Sequence, residues 1–305
     1  MSTVAPPFTV EVADGVYGYV QPDGSWWINN TGFVVGDDGV CAVDASSTER
    51  RTRAFRDAIA SVTSLPVDTL VNTHHHGDHT NGNCLFSGAI IVGHVNCRAN
   101  MADQRIGGLE GVFEPVEWGD LTVAPPDRTL EDRLDLTLGS RRVELRYAGT
   151  PAHTTGDVVV WLPDSGVLFA GDLLFNGGTP FVLMGSVAGS LESLQVLRRL
   201  QPATIVPGHG GVGGPELIDP VEEYLIWVQD LAREGREAGL EPLDVARQTD
   251  LGRWADLLDS ERLVGNLHRA YAEMEGGPMG RPIDIAAAFG DMITFNGGAP
   301  LRCLA

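Results

Sequence analysis

The sequence predicts an α/β protein: two β-rich halves, each passing through a helix to a further strand, then a helical region from about residue 215. Three observations predict it. Short apolar runs of strand length recur between Val10 and Val206, punctuated by Gly, Asp and Pro. Helical spacing replaces them over Ser46 to Ala60 and over Ser190 to Leu200. Beyond Pro215 the spacing stays helical, with charged faces.

Val10 to Val20 reads as two strands around an Asp14-Gly15 turn. Trp26 to Val35 and Val40 to Asp44 are β-rich runs joined by Gly36-Asp37-Asp38-Gly39, a hairpin turn. Ser46 or Ser47 can cap the first helix, whose polar face carries Arg50, Arg51, Arg53 and Arg56. Val67 to Asn72 is a buried strand ending at a polar cluster, and Ala89 to Val92 is another strand. Strands follow at Leu134 to Leu138, Val143 to Tyr147, Val158 to Leu162, Val167 to Ala170 and Thr204 to Val206. Helical spacing then covers Val221 to Ala238, Leu243 to Gln248 and Ser260 to Glu275. This divides the chain into residues 1–214 and a helical region, 215–305, packed on the same domain.

The chain has 305 residues, 41 acidic and 21 basic, for a formal charge of −20. That balance disfavours nucleic acid and anionic membranes as partners. Bound cations could reverse the sign locally. No apolar run approaches the roughly 18 residues of a membrane span. All the basic residues are arginine, so no lysine can form a Schiff base or clamp a substrate. Cys41, Cys84, Cys97 and Cys303 lack metal-site spacing and read as reduced thiols, with a Cys84–Cys97 disulfide as the alternative. Met1 to Pro7 shows no secretory pattern, so a cytoplasmic protein is expected.

The chemistry concentrates in Thr73-His74-His75-His76-Gly77-Asp78-His79-Thr80, directly after a strand. Imidazoles and carboxylates are what zinc prefers in catalytic sites. In an extended segment His74 and His76 point the same way and can grip one ion, while His75 alternates away as a spacer. After a bend at Gly77, Asp78 and His79 can face a second ion. Further candidates stand at strand-to-loop boundaries: His153 in Gly149-Thr150-Pro151-Ala152-His153-Thr154, Asp172 after Gly171, and His209 in Pro207-Gly208-His209-Gly210. Strand ends are where α/β folds place their sites.

The set His74-x-His76-x-Asp78-His79, His153, Asp172 and His209 resembles the metallo-β-lactamase superfamily over residues 10 to 212. The resemblance implies a four-layer αββα sandwich with two zinc ions. His74, His76 and His153 would hold the first, and Asp78, His79 and His209 the second. Asp172 would bridge them. Asp44 matches an early aspartate that supports the metal loop by hydrogen bonds, a plain turn or cap residue being the alternative. Two zinc ions acidify a shared water and polarise a substrate carbonyl, with Asp78 orienting the nucleophile. Manganese or iron also fits such ligands.

The bridging aspartate resembles the thioesterase and lactonase branch, which includes glyoxalase II, more than true β-lactamases. Segments Gly171 to Phe181, Trp26 to Asn30 and Phe295 to Leu301 are similar to cyclases of aromatic polyketide biosynthesis. This implies thioester hydrolysis or aldol cyclisation of a carrier-bound, polyketide-like acyl substrate in antibiotic biosynthesis. The alternative is a lactonase, glyoxalase II-like or β-lactamase-type hydrolase of another small ester, thioester or amide. Trp26, Trp27, Asn29, Phe175, Phe181 and Met184 would then wall an apolar pocket, ordinary core packing being the bland alternative. The helices after residue 215 would cap that pocket, complete a core or form a homodimer surface. Arg233, Arg236 and Arg269 would meet an acidic carrier or form a solvated face.

Overall fold

A computed structural model describes residues 5–108 and 110–305. The described residues form two sheets. The first has strand order β1-β2-β3-β4-β5-β6-β7, with β1 Phe8–Ala13, β2 Val16–Val20, β3 Thr31–Val35, β4 Val40–Val43, β5 Val67–Val71, β6 Ile90–His94 and β7 Arg128–Leu130. The second runs β12-β11-β10-β9-β8, with β8 Arg133–Leu138, β9 Arg141–Tyr147, β10 Val158–Leu162, β11 Val167–Asn176 and β12 Thr204–Gly210. β1 to β4 pair antiparallel, whereas β4 to β7 are parallel, joined through helices. β11 and β12 are likewise parallel, joined through a helix.

Period-2 alternation in buried strands builds the layers. On β10, Val158, Val160 and Leu162 face the first sheet together with Val43, Val71 and Val92. Val159 and Trp161, the residues between, pack outward with Leu194 and Leu197 of α4, Val187–Leu200. On β4, Cys41 and Val43 face inward, while Val40 and Ala42 pack outward with Phe55 and Ile59 of α1, Glu49–Val62. The result is the four-layer αββα metallo-β-lactamase sandwich. Two short helices, α2 Gly77–Thr80 and α3 Val95–Met101, decorate the first half. A helical extension of α5 Ile218–Glu237, α6 Pro242–Gln248, α7 Arg262–Met274 and α8 Ile285–Phe295 packs on the outer face of the second.

Several local expectations change. Trp26 to Asn30 is a loop, because Trp27 takes φ +65° and Asn30 is tied across the sheets to the carbonyls of Pro207 and Gly210 at 2.9 and 2.6 Å. Helix α1 starts later than Ser46, capped by the Thr48 hydroxyl, which accepts from the Arg51 amide. Strands β7 and β12 and helix α8 lay beyond, or extended past, what spacing showed. All four cysteines are free. No described helix is long and apolar enough to cross a membrane.

Candidate metal centre

The candidate ligands come from loops after β5 and β9 and from within β11 and β12. The segment Thr73 to His76 leaves β5 as an irregular loop, and Asp78 and His79 occupy the one-turn helix α2. His153 lies on the β9–β10 loop, Asp172 inside β11, and His209 inside β12. The expected extended geometry from His74 to His76 is therefore replaced by a loop. His74, His76, His153 and Asp172 bring ligand atoms within 4.8 Å of one another. Asp78, His79, Asp172 and His209 do the same. Asp172 belongs to both groups, with Oδ2 3.3 Å from Nε2 of His153 and 3.3 Å from Nε2 of His209.

The hydrogen bonds behind these groups decide which ring nitrogens are bare. The Asp44 carboxylate, left-handed at φ +59°, accepts from the Thr73 amide and hydroxyl, both at 2.7 Å, and from Nδ1 of His79 at 2.8 Å. The Thr73 hydroxyl has thus spent its proton, so its oxygen accepts from Nδ1 of His74 at 3.1 Å. Nδ1 of His153 faces the Phe181 carbonyl at 2.5 Å, and a carbonyl can only accept. Neutral His74, His79 and His153 are therefore all Nδ1–H tautomers, with Nε2 lone pairs aimed at the centre.

These lone pairs can take either a proton or a metal ion. Among the described residues, Nε2 of His74, Nε2 of His79 and Oδ1 of Asp172 are buried without a hydrogen-bond partner. Nε2 of His79 lies only 3.1 Å from Oδ1 of Asp172, and the lone pair of His153 lies 2.8 Å from Nδ1 of His76. Burial opposes a charge on His79, yet the surrounding carboxylates of Asp172, Asp44 and Asp78 hold its pKa well above the ordinary value. Burial would raise Asp172, but His209, His79 and His153 keep it well below the usual range. His74 and His76 are pushed down by burial and by neighbouring imidazoles. Buried imidazole and carboxylate atoms without partners, a shared carboxylate and an all-N/O ligand set fit a pair of zinc-like ions.

A cavity of about 390 Å³ opens beside the clusters. Trp26, Trp27, Phe175, Phe181 and Met184 border it, as do Asp78, His153, Asp172 and His209. Asn29, expected in this wall, does not border it: its amide donates to the Ala45 carbonyl at 2.8 Å and fixes the loop instead. Strand alternation would turn His75 away from the ligands. It lies outside both clusters but borders the cavity. Phe113, Phe289 and Arg262 also border it. Sequence reasoning missed them because they come from an irregular segment and from the helical extension, where no motif surrounds them. Thr73 was missed as a relay, although its place beside His74 was the available signal. Arg269 meets no partner outside the chain: it is 1% exposed and bonds the Leu183 carbonyl.

An αββα sandwich with two His/Asp clusters that share one aspartate defines a candidate dinuclear metal centre. The chain belongs to the Metallo-beta-lactamase superfamily, whose family model matches residues 24–209. A hydroxyacylglutathione hydrolase of Rhodospirillum rubrum is 33% identical over 168 residues, covering 55% of this chain and 56% of that protein. A type 2 metallo-beta-lactamase of Bacteroides fragilis is 26% identical over 224 residues, covering 70% and 84%. The chain spans about half the length of the hydroxyacylglutathione hydrolases it matches. A solved metallo-beta-lactamase from Pontibacter korlensis shares the fold, with TM-score 0.61 at 19% identity over 72% of this chain and 99% of that one.

Proposed function

We propose that this chain is a dinuclear zinc hydrolase of small carboxylic-acid derivatives, with a thioester favoured over a lactone or β-lactam. The observation that carries the reading is the pair of clusters sharing Asp172 on the edge of an apolar cavity. The hydroxyacylglutathione hydrolases among its relatives favour the thioester. His74, His76 and His153 would hold the first ion and Asp78, His79 and His209 the second, with Asp172 shared. Bound there, zinc supplies an acidified water and Lewis acidity toward a carbonyl.

The chain's own part is positioning. Asp172 sets the spacing between the clusters. Asp78 is the more open carboxylate, its side chain 14% exposed against 4% for Asp172. It can orient a water and accept its proton at a carboxylate oxygen. The aromatic wall excludes bulk water and receives the acyl group. Residues 215–305 act as part of the same unit, since Arg262 and Phe289 border the cavity.

A second reading keeps the polyketide-like, carrier-bound acyl substrate, with hydrolysis or aldol closure. The aromatic character of the wall favours it, because Trp26, Trp27, Phe113, Phe175, Phe181 and Phe289 offer ring faces to a bulky acyl group. One panel separates the readings: glutathione thioesters, aromatic acyl thioesters, acyl lactones and nitrocefin, each with zinc and with chelator. Chelator-sensitive thioester turnover supports the proposal. Turnover of nitrocefin alone, or turnover untouched by chelation, contradicts it.

A further inference from the structure

The segment Thr179 to Ser186 between β11 and α4 has no regular structure, yet most of it is buried. Its backbone groups need partners that no ladder supplies. Helix α7 supplies several of them from one face. Arg262, Asn266, Arg269 and Glu273 are spaced four, three and four residues apart, which aligns them along the helix. Arg262 Nη1 donates to the Thr179 carbonyl at 3.0 Å. Arg269 Nε and Nη2 both donate to the Leu183 carbonyl, at 2.9 and 2.7 Å. Glu273 accepts from the Val187 and Ala188 amides at the start of α4.

Asn266 holds the middle of this stripe. Its Nδ2 donates to the Pro180 carbonyl at 2.8 Å, and its Oδ1 accepts from the Val182 amide at 2.9 Å. It therefore clamps the chain on both sides of Phe181. The Phe181 carbonyl is the group that faces Nδ1 of His153 at 2.5 Å. Asn266 is fully buried and stands outside both ligand clusters.

We propose that Asn266 is a positioning residue for the first metal cluster: by bracketing Phe181 it aims the carbonyl that fixes the tautomer and direction of His153. The inference rests on the dinuclear reading of the clusters. It makes the helical extension part of the metal centre rather than only a wall of the cavity. It also explains why α7 turns three polar side chains to one irregular segment, and a fourth to the start of α4, instead of packing that face with apolar ones.

The test compares zinc affinity in two single-site backgrounds of the full chain, by competition with a chromogenic chelator. His209→Ala leaves the first cluster intact, and His76→Ala leaves the second. Asn266→Ala is expected to weaken zinc binding about tenfold or more in the His209→Ala background. In the His76→Ala background it should change affinity less than about twofold. Equal loss at both clusters would mark a merely structural role and overturn the proposal, as would no loss at either. Should Asn266→Ala not fold, the isosteric Asn266→Asp keeps an acceptor for Val182 and carries the same comparison. If each background binds no zinc even with Asn266 present, the dinuclear reading itself fails, which is a separate outcome.

Discussion

Oδ2 of Asp44 accepts from both Nδ1 of His79 and the hydroxyl of Thr73, at 2.8 and 2.7 Å, so one buried carboxylate reaches both ligand clusters. It orients His79 directly and His74 through Thr73. The left-handed backbone at Asp44 is part of this device, since Asp and Asn tolerate that conformation better than other residues with a side chain.

Asp44→Asn keeps an acceptor for the Thr73 amide but replaces the oxygen that receives two donors. Zinc affinity should fall about 10- to 100-fold at both clusters, with the fold retained. Zinc competition measures it. An affinity within about twofold of the parent would show that Asp44 is only a turn residue.

Gly208→Ala tests the shared aspartate by space alone. A Cβ at Gly208 would stand 1.9 Å from Oδ1 of Asp172 and 2.7 Å from the Gly171 carbonyl carbon. Neither can be met without moving Asp172 or β11. Loss of the second bound ion and about a 100-fold fall in kcat are expected, read by zinc content and steady-state kinetics. Full activity in this variant would argue against Asp172 as the bridge.

Trp27 forms cavity wall at a strained φ of +65°, and its ring packs on Phe113 and Trp118 with centroids 5.5 and 4.7 Å away. Trp27→Gly relieves the backbone and removes the wall. For an apolar acyl substrate KM should rise about tenfold, the value of roughly 1.4 kcal/mol of lost burial, with kcat changing less. A fall in kcat at constant KM would move Trp27 from substrate binding to support of the neighbouring Gly77 turn.

His75 sets a pH dependence in the metal-free chain. Burial pushes its pKa down to about 4, with His153 adding to the effect. The unfolded chain takes up this proton near pH 6.5, whereas the folded chain refuses it until about pH 4. The contribution to stability is therefore complete above pH 6.5 and lost as pH falls through that window, by about 2–3 kcal/mol. Urea unfolding at pH 7 and pH 4.5 should show a smaller loss for His75→Asn than for the parent. An equal loss in both would place His75 in contact with solvent.

Much of this was legible in the sequence because both signals are local. Strands buried on two faces show as short apolar runs bounded by turn residues, and β4, β5, β10 and β11 were readable that way. The candidate ligands His74, His76, Asp78 and His79 announce themselves by density, and His153, Asp172 and His209 by their place at the ends of apolar runs. What stayed hidden is set by tertiary contact. Asn29 and the Trp26–Trp27 pair look alike as β-rich residues, and only the ties of Asn29 to Ala45 and of the Asn30 amide to Gly208 send Asn29 inward and leave the indoles at the cavity. Arg269 and Asn266 read as ordinary polar positions on a helix, since the irregular segment they satisfy lies more than 80 residues earlier.

The most direct test is the zinc content of the purified chain after equilibrium dialysis against buffered zinc, read by elemental analysis. Two ions per chain, falling to one when His209 is replaced by Ala, is the expected result. One ion or none in the unaltered chain would contradict a centre built on a shared Asp172.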